Sequence, residues 1–183
     1  MPFSIVRNKD THQAHVIMGC ETIGSCHADR YALHLLNNLL GGPAMTSRFN
    51  VALREKAGLV YTVESLYSTY PDRGLWEVYF GCDPKDVERC CHLVERELLH
   101  IIDSPLSASQ LRTAQKQYKG QIAISRTHAE HHAVQMAKAF ALHGEVVPLQ
   151  ETFRRIDAVT AADIQRVARE YLHPSQLSRL VYK

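Results

Sequence analysis

The densest concentration of metal-ligating chemistry in this 183-residue chain is His128-Ala129-Glu130-His131-His132. His128 and His132 stand four residues apart, so on a helix they share one face, a spacing that lets two imidazoles take one metal ion. Neither zinc signature is completed, however. H-x-x-E-H requires a histidine at position 127, which is Thr127, and H-E-x-x-H requires a glutamate at position 129, which is Ala129. The cluster therefore reads as histidines on a solvated helix. The five cysteines form no C-x-x-C pair, and Cys90 and Cys91 are adjacent within an amphipathic pattern. That points to buried thiols in a reducing compartment such as the cytoplasm, with neither a disulfide framework nor a thiolate zinc site. Cys20 and Cys26 have histidines nearby in sequence but no flanking pattern of a nucleophile. No G-x-S-x-G elbow, phosphate-binding loop or dinucleotide fingerprint is present.

Composition narrows the function classes further. Lys and Arg number 21 against 19 Asp and Glu, a formal net charge of +2. That balance argues against nucleic acid or an anionic membrane as the main partner. No apolar run reaches the length of a membrane span, and the N-terminal Met1-Pro2-Phe3-Ser4-Ile5-Val6 has no signal-peptide pattern. Residue 1 opens close to the first expected strand, as in an excised C-terminal fragment. The length is that of one domain, expected over residues 1–183, with no internal repeat or linker to divide it.

The elements that must position any site follow from periodicity. Ala14, Val16, Met18 and Cys20 alternate as in a half-buried strand. Ala32, Leu35, Leu36, Leu39 and Leu40 recur at helical spacing from about Ala28 until Gly41-Gly42-Pro43 stops them. A second helix is expected from Ser47 to Ala57, with Gly58 as a left-handed terminator. Two strands, Val60–Ser68 and Gly74–Gly81, flank the turn residues Pro71-Asp72-Arg73-Gly74 as a hairpin. Asp83-Pro84 opens a long helix striped with Val87, Cys90, Cys91, Val94, Leu98, Ile101 and Ile102. Ser107 with Gln110, and Thr160 with Asp163, read as N-terminal caps of two later helices. Between them residues 126–142 are expected to be helical, with Ala133, Met136, Ala137 and Phe140 facing inward. Leu177–Tyr182 closes the chain as a strand. Together these elements predict an α+β fold, an antiparallel β-sheet with helices packed on one face.

One segment carries a family signature. Leu39-Leu40-Gly41-Gly42-Pro43-Ala44-Met45-Thr46-Ser47-Arg48-Phe49, continued by Leu53-Arg54-Glu55-Lys56-Ala57-Gly58-Leu59-Val60-Tyr61, resembles the second domain of insulinase/pitrilysin-type, mitochondrial-processing-peptidase-like metallopeptidases. The family pattern there is a glycine pair, Ser-Arg-Leu and Leu-Arg-Glu-Lys-x-Gly-Leu-x-Tyr; here Phe49 replaces the leucine. The resemblance implies the inactive, C-terminal-type domain of a zinc-dependent metalloendopeptidase. Such a domain pairs with a catalytic H-x-x-E-H domain, in the same native chain or a separate subunit, and the two enclose a chamber for a peptide or unfolded polypeptide. It also implies that Arg54 and Tyr61, seven residues apart, hold the substrate backbone near the zinc of the partner domain. Taken without the family, Arg54 is a helix-terminal cation and Tyr61 a half-buried strand residue.

On the first long helix the family places H-x-x-E-H, with two histidine ligands and a glutamate base. Here that stretch reads His34-Leu35-Leu36-Asn37-Asn38. Asparagine neither accepts a proton at neutral pH nor makes a good zinc ligand, and residues 108–120 hold no acidic residue as a third ligand. The expectation is therefore no catalytic residue and no metal in this chain, with zinc in the partner, and no peptide hydrolysis by the isolated chain. A structural or assembly subunit resembling the core proteins of respiratory complexes is the alternative.

Overall fold

The computed structural model describes residues 1–9 and 11–183, and at position 131 the backbone alone. Five strands form one sheet: β1 (Ser4–Arg7), β2 (Ala14–Ile23), β3 (Val60–Thr69), β4 (Arg73–Cys82) and β5 (Ser178–Tyr182), in the order β1-β5-β2-β4-β3. All pairings are antiparallel except that of β1 with β5. Six α-helices accompany them: α1 (Arg30–Gly41), α2 (Val87–Asp103), α3 (Ala108–Ser125), α4 (Ala129–His143), α5 (Leu149–Asp157) and α6 (Ala161–Tyr171). The α+β fold with a helical layer on one face is the one expected.

Alternation explains that layering. Along β2, Ala14, Val16, Met18 and Cys20 are buried while Ile17 and Glu21 are exposed; along β4, Trp76, Val78, Phe80 and Cys82 point to the same interior. Pairing of Val16 with Phe80, Met18 with Val78 and Cys20 with Trp76 puts these side chains in adjacent rows. The buried faces of α1, α2 and α6 supply the facing layer: Leu33, Leu36 and Leu40, then Val94 and Leu98, then Ile164 and Val167. Each large side chain buried in this way stabilises the fold by about 1.5–3 kcal/mol. Both expected capping boxes form: Ser107 Oγ accepts from the Gln110 amide, and Thr160 Oγ1 from the Asp163 amide.

Four expectations need correction. Asp83 makes no side-chain cap, because Pro84–Asp86 form a turn of 3-10 helix and α2 begins only at Val87. The helix over Asn50–Lys56 is a π-helix rather than an α-helix. Two elements escaped the periodicity: β1, which is exposed at all four residues, and the short α5. The largest departure is α4, whose Ala133, Met136, Ala137 and Phe140 were expected to face inward. All four are exposed, Phe140 at 64%; Met136 lines a cavity shared with α1 and α3, while Ala133, Ala137 and Phe140 lie outside its lining.

Candidate functional site

Arg54 and Tyr61 reach one rim through two local irregularities. The first is the π-helix Asn50–Lys56, which carries Arg54 in its last turn. Gly58, at φ +63°, then reverses the chain, so that its own amide and that of Leu59 return to the carbonyls of Arg54 (3.0 Å) and Leu53 (2.9 Å). The second is a β-bulge. Val60 pairs with Cys82 and Val63 with Phe80, so Tyr61 and Thr62 together stand opposite Gly81. The extra residue breaks alternation, and both Tyr61 and Thr62 are exposed, Tyr61 at 83%. The phenol is thus far from half-buried. Its ring centroid lies 5.9 Å from the Arg54 guanidinium carbon, within cation–π range. Arg54 has only its neighbour Glu55 as an ionic partner among the described residues, at 3.6 Å.

These two residues border a groove of about 560 Å³ whose other wall is the C-terminal half of α1, with His34, Asn37 and Asn38. Thus the residues aligned with the family's zinc motif do face Arg54 and Tyr61 across one groove. They do not fit a zinc ion. The His34 ring packs on Tyr67 with centroids 4.6 Å apart, and burial, followed by the charge of Arg30 one turn earlier, pushes its pKa down to about 4. Asn37 donates from Nδ2 to the Ser65 carbonyl at 3.3 Å, and Ser65 Oγ donates back to the Asn37 carbonyl at 3.1 Å. The place of a general base is thereby a strap between α1 and β3. Gly41 permits this approach, since a Cβ there would lie 2.7 Å from the Ser65 amide nitrogen. Asn38 is buried at 7% exposure. Among the described residues, no group of three His, Cys, Asp or Glu side chains is placed to share a metal ion.

The histidine cluster behaves as two separate residues. His128 precedes α4 in extended backbone (φ −85°, ψ 97°) and borders one cleft, whereas His132 borders another. They do not share the helical face their spacing allowed, and the His131 side chain lies outside the described residues. The rest of the signature segment is structural. Phe49 is fully buried with its ring 6.3 Å from Trp76, and Arg48 reaches Glu97 on α2 at 3.7 Å. Met45 and Tyr118 also line the groove, and sequence reasoning missed both.

Comparison with known proteins agrees with this geometry. Residues 2–118 match the family model described as the peptidase M16 inactive domain. An uncharacterized zinc protease of Streptomyces coelicolor is 33% identical over 164 residues, covering 90% of this chain and 36% of the relative. The chain therefore spans well under half of that relative's length. Among solved structures, the peptidase M16 inactive domain from Pseudomonas fluorescens superposes with a TM-score of 0.85 at 20% identity, covering 99% of this chain and 43% of that one. A chain of complex III2 from Candida albicans superposes with a TM-score of 0.87 at 16% identity, covering 100% of this chain and 46% of that one. With a match spanning most of its length, the chain belongs to the inactive-domain family of M16 peptidases.

Proposed function

We propose that residues 1–183 form one non-catalytic, substrate-binding domain of a zinc-dependent metalloendopeptidase. In this reading Arg54 and Tyr61 hold a peptide backbone near a zinc site supplied by a catalytic H-x-x-E-H partner domain. The observation that carries it is the shared rim: an exposed phenol in a β-bulge, 5.9 Å from a guanidinium, above an open groove. A bulge that turns a tyrosine outward, beside a π-helix that carries the arginine, is costly geometry for residues with no task. A guanidinium offers a fork of N–H donors and a phenol one O–H, both suited to a peptide carbonyl. Directed at a carbonyl oxygen that gains charge during attack, such donors each contribute roughly 2–4 kcal/mol. At the position where the family carries its base this reading has Asn37, an amide that accepts no proton at neutral pH and donates to Ser65.

The test is reconstitution with a catalytic H-x-x-E-H domain. The isolated chain is expected to leave peptides intact and the mixture to cleave them. Arg54→Ala is expected to lower kcat/KM by roughly 10²–10³-fold, with Tyr61→Phe lowering it less. Undiminished turnover by both variants would remove the proposed roles.

A structural or assembly subunit is the second reading. It is favoured by the unburied apolar surface of α4 and the adjoining Ile124, exposed at 66%, which an assembly would cover. A stable complex with a partner lacking any metal site would select it.

A further inference from the structure

We propose that the cavity between α1, α3 and α4 binds an amphipathic monocarboxylate, a short acyl chain ending in a carboxylate. The cavity holds about 780 Å³, within the roughly 300–1,000 Å³ typical of small-molecule sites. Its charged lining is cationic. Arg30 and Arg126 face it against Glu145 alone, and among the described residues neither guanidinium is in an ion pair. Arg30 donates to the Ser25 carbonyl and, at 3.1 Å, to the Tyr31 hydroxyl, leaving further N–H donors over.

Beside Arg30 lies a second and independent sign of a missing partner. Ser25 is 8% exposed, lines the cavity, and its hydroxyl has no hydrogen-bond partner among the described residues. A buried hydroxyl left without a partner costs about 1–3 kcal/mol, which an acceptor oxygen entering the cavity removes. One carboxylate can take the Ser25 hydroxyl with one oxygen and Arg30 with the other. The remaining wall suits a hydrocarbon chain. Ile122 and Ile156 form its floor, and Met136 and Leu142 of α4 overhang it, exposed at 41% and 47%. This accounts for Met136, Ala139 and Leu142 of α4, apolar side chains that line the cavity without being buried: this side of α4 is the wall of a container rather than part of the core. The site is separate from the Arg54–Tyr61 groove, although His34 and Tyr118 line both.

Octanoate and its uncharged counterpart 1-octanol are the probes, titrated calorimetrically into the 183-residue chain at neutral pH. Octanoate is expected to bind at least about tenfold more tightly, since the alcohol can accept a hydrogen bond but brings no opposite charge to the guanidinium. Arg30→Gln is expected to remove that preference. Because Arg30 also holds the loop before α1, Leu142→Asp serves as the second variant: its side chain is no part of the core, and it should abolish binding with the thermal midpoint unchanged. Cys26 gives a further readout. It is exposed at the cavity mouth, 3.8 Å from His143 Nδ1, while the other four cysteines are buried. Octanoate is expected to slow its alkylation by iodoacetamide. Equal affinity for octanoate and octanol, absence of binding to the unsubstituted chain, or undiminished binding by Leu142→Asp would each overturn the proposal.

Discussion

Replacing Asn37 by aspartate changes one atom group at the position where an active relative would hold its base. The Asn37 Nδ2 that donates to the Ser65 carbonyl at 3.3 Å becomes a carboxylate oxygen facing a carbonyl oxygen. The lost hydrogen bond is worth about 1 kcal/mol, and leaving the Ser65 carbonyl unsatisfied against α1 costs about 1–3 kcal/mol more. A total of about 2–4 kcal/mol corresponds to a midpoint lowered by about 5–15 °C for a domain of this size. The effect depends on pH in a definite direction. Repulsion and burial raise the folded-state pKa of the new carboxyl above its unfolded value of about 3.9. Destabilisation is therefore full above the folded pKa and fades as pH falls toward the unfolded one, where a protonated carboxyl can donate to Ser65 in place of the amide. Thermal melts of both proteins by circular dichroism at pH 7, 5 and 4 read the midpoint difference. A gap under about 2 °C at pH 7, or one that fails to narrow on acidification, would refute the assignment of Asn37 as the strap between α1 and β3.

Four further outcomes are expected. Burial holds the folded-state pKa of His34 down at about 4, against 6.5 for an ordinary histidine, so the unfolded chain binds the extra proton first. Stability should thus fall as pH drops from 6.5 toward 4, by at most about 3 kcal/mol, and His34→Phe should flatten this part of the urea-unfolding profile. Gly41→Ala should destabilise by about 1–3 kcal/mol in urea, because its Cβ would meet both the Ser65 amide nitrogen and the Ser65 hydroxyl at 2.7 Å. Thr160→Ala removes the cap of α6 and should cost about 1 kcal/mol, whereas Tyr61→Ala, at an exposed phenol, should leave unfolding within about 0.5 kcal/mol.

Much of the fold was legible because its signals are local. The stripe Val87–Ile102 and the alternation Ala14–Cys20 each record one neighbour, the core, at a fixed period. The caps at Ser107 and Thr160 each involve residues three apart. The replacement of base and ligand by Asn37 and Asn38 is visible in the chain itself, as is the Arg54–Tyr61 spacing. The inward face expected for residues 126–142 failed because periodicity reports that a helix has an apolar side, not what lies against it. On α4 that side is exposed, with Met136 at 41% and Phe140 at 64%.

What the sequence by itself determined is which residues could do chemistry: no zinc ligand set on α1, and an arginine and a tyrosine seven apart. Tertiary structure alone decided where they point. The register slip that exposes Tyr61 arises from the pairing of Val60 with Cys82 and Val63 with Phe80. The cationic cavity joins Ser25 and Arg30 to residues about a hundred positions downstream. The pairing of β1 with β5 likewise spans nearly the whole chain. Each of these rests on contacts between segments far apart in sequence, and no local period encodes which distant strand or helix will supply the other side.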